Sequence, residues 1–432
     1  MRIRTQAWDG SDPGRLAATL RASASEPAGL AAAVATTIAR VRQDGDAAVA
    51  ELSARFDGVA ADPVEVPADR LDAALSAIPA ELRVALEAAA ANVAAVAAAQ
   101  IGEPATVTLA AGQRIEVGEV PVRSAGIYVP GGRAPYPSSV VMGVVPAQVA
   151  GVGRVVVASP PDAASGEPGA AVLAAAAITG ADAVYAIGGA QAIAALAYGT
   201  GSIPAVDVIA GPGSPWVQEA KLQCSRRVGI DGYAGPSELV AIALVDVPCE
   251  WVALDLCAQA EHGDDGLLVA IAADRAWLER LAAAIESVQV ERGVASEAVF
   301  HLVHVDDPDA AIALTEALAP EHAEVIAADA AAMARRLTTA GCAFVGPTSA
   351  TAFGDYAAGS NHVLPTGGAG RFSGPLGPGT FRRRISRVEV GPEAARALAA
   401  TVDTIARSEG FPLHGASALA RAEGRNGPGE GE

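Results

Sequence analysis

Short, almost wholly apolar runs recur along this chain and constrain its fold more than any other feature. AGIYVP, RVVVASP, DAVYAIG and AVDVIAGPG alternate with helical stretches at about 138–150, 168–180, 189–199 and 215–227. A strand that is apolar at nearly every position must be buried on both faces, as in a parallel sheet covered by helices. A second series starts near 238: ELVAIALV, a helix over 249–262, GLLVAIAA, a helix over 274–288, VFHLVHV, a helix over 308–318, AEVIAA, a helix over 329–340 and AFVGP. The alternation predicts an α/β protein with two doubly wound, incomplete Rossmann-like modules. Residues 28–100 read as a helical N-terminal segment, with apolar residues at i, i+3, i+4 and Pro67 and Pro79 as start signals. The alternating stretch 104–118 predicts a hairpin. A helix over 392–408, a turn at Gly410–Pro412 and a last helix from about 414 make a small C-terminal helical appendage.

These signals divide the chain into an N-terminal segment (1–27), a first α/β domain (28–125 plus 238–380), a second (126–237), an appendage (381–424) and a disordered tail (425–432). Apolar residues make up 51% of the chain and aromatics only 4%, enough to build a core from small side chains. The net charge of −19 argues against nucleic acid and anionic membrane surfaces as partners. Cys224, Cys249, Cys257 and Cys342 show no CxxC spacing and read as reduced thiols of a cytoplasmic protein. No apolar run follows the first arginines, so no signal peptide is expected, and LEAAAANVAAVAAAQ is too weakly apolar to span a bilayer.

No GxGxxG follows any strand and no phosphate-binding GxxxxGK[ST] occurs. The glycine clusters YVPGG (128–132), IGGAQ (187–191) and AGPGS (210–214) stand where strands should end and helices begin. They read either as tight βα turns or as the ligand edge of an open sheet. Of the six histidines, His301 and His304 lie in a strand-like run and read as structural. His262, His322, His362 and His414 stand at element ends or in loops, with acidic or amide neighbours. Gln259 and His262, spaced i, i+3, share a helical face: a solvated helix exit, or half of a metal site. Asp355 and Glu409 lie close in sequence to His362 and His414, the residue types that a nitrogen–oxygen zinc site uses. Glu321–His322 after Pro320 reads as a solvated loop end or as a pair dividing proton-transfer duties.

Taken together, ordered segments of the chain closely resemble the histidinol dehydrogenase family. They are GIYVPGGRAPYPSSVVMGVVPAQVAGV, AIGGAQAIAALAYGT, GPGSPWVQEAK, IDGYAGPSE, DLCAQAEH, APEHAEV, GDYAAGSNHVLPT and EGFPLH. The resemblance implies a zinc- and NAD-dependent enzyme that oxidises L-histidinol twice, through L-histidinal to L-histidine, the last step of histidine biosynthesis. It puts zinc ligands at Gln259, His262, Asp355 and His414, and the acid–base pair at Glu321 and His322. It puts substrate contacts at Ser237, Gln259, His262, His322, Asp355, His362, Glu409 and His414, and cofactor contacts at Tyr128, Gln191 and Ser214. It also implies a homodimer, with Glu409 and His414 supplied across the interface by an exchanged appendage.

Three departures from the family pattern stand out. Ser214 replaces the usual Asn of G-P-G-N, Gly143 replaces a commoner polar residue after VVM, and SGPLGPGTF (373–381) is richer in glycine and proline. None removes an implied ligand or the Glu–His pair. The rival readings are a sister zinc- and NAD-dependent dehydrogenase of another hydroxylated substrate such as a sulfonated diol, a zinc hydrolase, and a non-catalytic zinc or nucleotide binder.

Overall fold

The computed structural model describes residues 2–21, 29–131, 134–233, 235–293 and 296–423. The tail at 425–432, Gly132 of the first glycine cluster and residues 22–27 of the N-terminal segment lie outside the described residues. The chain forms two compact units, Met1–Gln100 with Val122–Phe381, and Ile101–Pro121 with Arg382–Glu432.

In chain order the elements are β1 (Arg2–Ala7), α1 (Pro13–Arg21), α2 (Leu30–Asp44), α3 (Asp46–Phe56), α4 (Ala68–Ala77) and α5 (Ala80–Ala98). The hairpin β2 (Ala105–Thr108) and β3 (Arg114–Pro121) follows. Next come β4 (Ser124–Tyr128), α6 (Pro137–Val149), β5 (Arg154–Ser159), α7 (Ala170–Thr179), β6 (Ala183–Ala186), α8 (Gly189–Tyr198), β7 (Val208–Ala210), α9 (Pro215–Cys224) and β8 (Gly229–Ile230). The second series is β9 (Glu238–Ala243), α10 (Cys249–Ala260), β10 (Leu267–Ala272), α11 (Arg275–Arg292), β11 (Val299–His304), α12 (Pro308–Leu318), β12 (His322–Ile326), α13 (Ala330–Ala334), β13 (Cys342–Val345) and α14 (Thr351–Tyr356). The chain closes with β14 (Arg382–Glu389), α15 (Pro392–Ser408) and α16 (Pro412–Ala422).

The first unit holds two parallel sheets, ordered β6-β5-β4-β7-β8 and β1-β11-β10-β9-β12-β13. In each, the chain winds outward from a central strand and then returns to that strand's other side. This is the doubly wound pattern, with switch points between β4 and β7 and between β9 and β12. Alternate residues of β5 feed opposite cores, Val155 and Val157 on one face and Val156 and Ala158 on the other. Leu239 and Ala241 of β9 likewise face one core while Val240 and Ile242 face another. Helices therefore cover both faces of both sheets, which is why the strands are apolar throughout. The second unit holds the antiparallel sheet β14-β3-β2 and the packed helices α15 and α16. No described helix is long and apolar enough to cross a membrane.

Three local outcomes differ from the sequence expectations. Arg2–Ala7 forms an edge strand parallel to β11, its charged pattern suiting an edge rather than a core. The helix expected over 329–340 stops at Ala334, because the backbone N–H groups of Thr338 and Thr339 donate to the Glu316 carboxylate instead of extending it. Arg382–Glu389, too charged to read as a strand, pairs antiparallel with β3.

Candidate active site

Two groups of expected site residues meet at the switch point of the six-stranded sheet, on its amino edge. His322 is the first residue of β12 and Glu238 the first of the neighbouring β9, with Ser237 just before it. The helix α10 returns from the far edge, so its last turn brings Gln259 to the same place. Ser237 Oγ lies 2.6 Å from Gln259 Oε1 and 2.8 Å from Glu321 Oε2, so one hydroxyl proton faces two acceptors. Gln259 is buried, and its Nε2 reaches toward Thr351 Oγ1 at 3.4 Å. Helical backbone continues through Glu261, and His262 N–H donates to Gln259 O, so His262 follows on the same turn.

The two buried rings are held by backbone. His322 Nδ1 lies 3.0 Å from the carbonyl oxygen of Glu238, which fixes the proton of the neutral ring on Nδ1 and leaves Nε2 as the acceptor. That Nε2 is buried without a hydrogen-bond partner, 3.5 Å from Asp355 Oδ1. His362 Nδ1 lies 2.8 Å from Asp355 O, and its Nε2 is 3.4 Å from Ser139 Oγ on α6. Asn361 Nδ2 donates to Met142 O on the same helix, so α6 of the five-stranded module anchors this loop.

Electrostatics separate the two histidines. Burial alone would lower His322, but the carboxylates of Glu321 and Asp355 overcome it and raise the ring well above its ordinary value. Burial also lowers His362, and there the carbonyl and charge of Asp355 do not compensate. Burial opposes ionisation of Asp355, yet the neighbouring His322 ring, then the charges of His362 and His262, hold it below the usual carboxylate range. The arrangement sets a buried histidine, His322, beside a carboxylate, Glu321, that is already hydrogen-bonded to Ser237 and to the Glu238 N–H.

The expected cofactor positions line the carboxyl edge of the five-stranded sheet. Tyr128 ends β4, Gln191 lies in the first turn of α8, and Ser214 precedes α9. Tyr128 OH accepts from Gly189 N–H at 3.1 Å, and burial pushes it up to about 12. Gln191 Nε2 donates to Asp57 at 3.2 Å. Ser214 is exposed and its hydroxyl makes no capping bond to α9. Gly211, at φ +123°, lets that turn pass close to Tyr128: a Cβ there would lie 2.1 Å from Tyr128 O.

Among the described residues no three histidine, cysteine or carboxylate side chains gather to hold a metal. The expected zinc ligands of the first unit are Gln259, His262 and Asp355, only two of them of those types. Their oxygen and nitrogen donors suit zinc, and the unpartnered Nε2 of His322 beside Asp355 fits a polar occupant. Glu409 caps α15 and His414 lies on α16 in the second unit, both exposed, with the Phe411 and His414 rings 5.5 Å apart. His301 and His304 are buried in β11; burial, with the charge of Arg4, pushes His301 down to about 4. Ser139, Thr351, Glu238 and Asp57, which touch the expected residues, were not singled out from sequence. Only Glu238 carried a signal, a carboxylate opening a wholly apolar strand.

The chain matches the family model described as histidinol dehydrogenase over residues 20–422. It is 44% identical to the histidinol dehydrogenase of Ruegeria pomeroyi over 92% of this chain and 93% of that one. It is 43% identical to that of Methylococcus capsulatus over 92% of each. The crystal structure of histidinol dehydrogenase from Elizabethkingia anophelis superposes with a TM-score of 0.92, at 29% identity, covering 98% of this chain and 99% of that one.

Proposed function

Since the chain belongs to the histidinol dehydrogenase family, we propose that it oxidises L-histidinol through L-histidinal to L-histidine, using two NAD. The observation that carries the reading is the buried, unpartnered Nε2 of His322, its Nδ1 held by a carbonyl and its ring next to Glu321. His322 takes the substrate hydroxyl proton at Nε2 during the first oxidation, the ring nitrogen that the Glu238 carbonyl leaves free. Glu321 takes a proton from the water that adds to the aldehyde, since its Oε2 is already oriented by Ser237 and Glu238. Neutral His362 and the Ser237 hydroxyl hold polar atoms of the substrate.

Gln259, His262, Asp355 and His414 would hold zinc, with Tyr128, Gln191 and Ser214 contacting NAD. When bound, NAD supplies a hydride acceptor for each oxidation, and zinc supplies an electrophile that orients the substrate nitrogens and stabilises charge. Glu409 and His414 act from the partner subunit of a homodimer. The exposure of Phe411 (55%) and Leu413 (82%) beside them supports a covering partner. The free cysteines suit a reducing cytoplasm.

The test is the NADH formed per L-histidinol by the purified, zinc-loaded enzyme. Two NADH with histidine as product is the expected result. One NADH would remove the water-activating role of Glu321, and none would turn attention to other hydroxylated substrates such as sulfonated diols.

A further inference from the structure

Glu238 touches the acid–base pair at three separate atoms. Its N–H donates to Glu321 Oε2 at 2.9 Å, and its carboxylate accepts the Glu321 N–H at 3.2 Å. Its carbonyl accepts His322 Nδ1 at 3.0 Å. Two glutamates at the heads of adjacent strands thus exchange N–H and carboxylate reciprocally. The Glu238 carboxylate is buried and also accepts the Gly367 N–H at 2.9 Å. It accepts from both terminal guanidinium nitrogens, Nη1 and Nη2, of Arg21, the last residue of α1.

Arg21 extends the clamp to the other side of the pair. It also donates to Leu318 O, the last carbonyl of α12. The next residue, Ala319, has φ +44°, a conformation that a side chain resists and that needs its surroundings to hold it. Ala319 and Pro320 then lead directly into Glu321. Arg21 therefore fixes where the turn begins, and Glu238 fixes where it ends. The guanidinium charge also lets two carboxylates stand side by side in a buried place, which neither could do alone.

We propose that the Glu238 carboxylate, backed by Arg21, is the positioning group that holds Glu321 in its working orientation. This rests on the reading of Glu321 and His322 given above. The Glu238 carboxylate does not meet the substrate; it acts through Glu321. A displacement of about 1 Å at reacting groups lowers turnover by as much as ~100-fold without weakening substrate binding.

The experiment measures kcat and KM for L-histidinol on the zinc-loaded, full-length enzyme, with circular dichroism to give the folded fraction. Glu238→Gln keeps the shape but replaces one acceptor oxygen by a donor, and is expected to lower kcat roughly 10- to 100-fold while KM stays within about twofold. Arg21→Lys keeps the charge but loses the fork, and should lower kcat about 3- to 10-fold. Glu321→Gln and the double variant Glu238→Gln/Glu321→Gln complete a cycle. If Glu238 acts through Glu321, the double variant turns over about as slowly as Glu321→Gln alone. Parental kcat in Glu238→Gln, a change confined to KM, or losses that multiply in the double variant would overturn the inference. Should Glu238→Gln not fold, parental kcat in Arg21→Lys overturns it. A parental Glu321→Gln would instead remove the reading on which it rests.

Discussion

A methyl group at position 143 would lie 2.2 Å from Ile127 Cγ2, so glycine is what allows α6 to rest on β4. Gly143→Ala is expected to cost about 1–3 kcal/mol, seen as a lower urea midpoint at unchanged m. Sequence reading noticed Gly143 as a departure but not its reason, because Ile127 becomes its neighbour only when the sheet forms. The same limit applies to Ser139, which meets His362 from 223 residues away. The histidines at element ends were legible because there are so few of them and their neighbours are polar. Ser139, Arg21 and Thr351 were not, since an isolated serine, arginine or threonine has many ordinary uses. Their meaning lies in which distant atom they face.

At the scale of elements, the apolar runs marked the parallel strands well, because burial on both faces leaves few alternatives. They did not say which edge of each sheet carries chemistry. The glycine turns pointed to the carboxyl edge of the five-stranded sheet, whereas Glu238 and His322 open their strands at the amino edge of the other. One buried ion pair deserves a test at this scale. Lys221 of α9 pairs with Asp231, donates to Gly211 O at 3.0 Å, and Asp231 accepts Gly211 N–H at 2.7 Å. The pair thus grips both sides of the strained Gly211 turn that leads to Ser214. Lys221→Met leaves Asp231 buried and uncompensated, and is expected to lose about 3–5 kcal/mol in urea unfolding. Because the turn loses a brace, KM for NAD should rise as well.

For the molecule as a whole, a buried carboxylate pair sets a pH dependence of stability. Burial raises Asp255 to about 6, and burial followed by the charge of Asp255 raises Glu324 well above its ordinary value. The folded chain therefore keeps a proton that the unfolded chain has released above roughly pH 4. The stability this contributes is whole below pH 4 and is lost as pH rises through about 6. Asp255→Asn should then gain roughly 1–2 kcal/mol over the parent at pH 7, after allowance for partial exposure, and nothing at pH 4. Urea midpoints at the two pH values check it; an equal gain at both would mean that the pair does not share a proton. The two parallel sheets lend opposite rims to the proposed chemistry, and this leaves part of the carboxyl rim of the six-stranded sheet idle. The turns that follow β9 and β11, at 244–248 and 305–307, carry none of the proposed contacts. Those two turns are where an engineer should splice in a reporter or a surface tether.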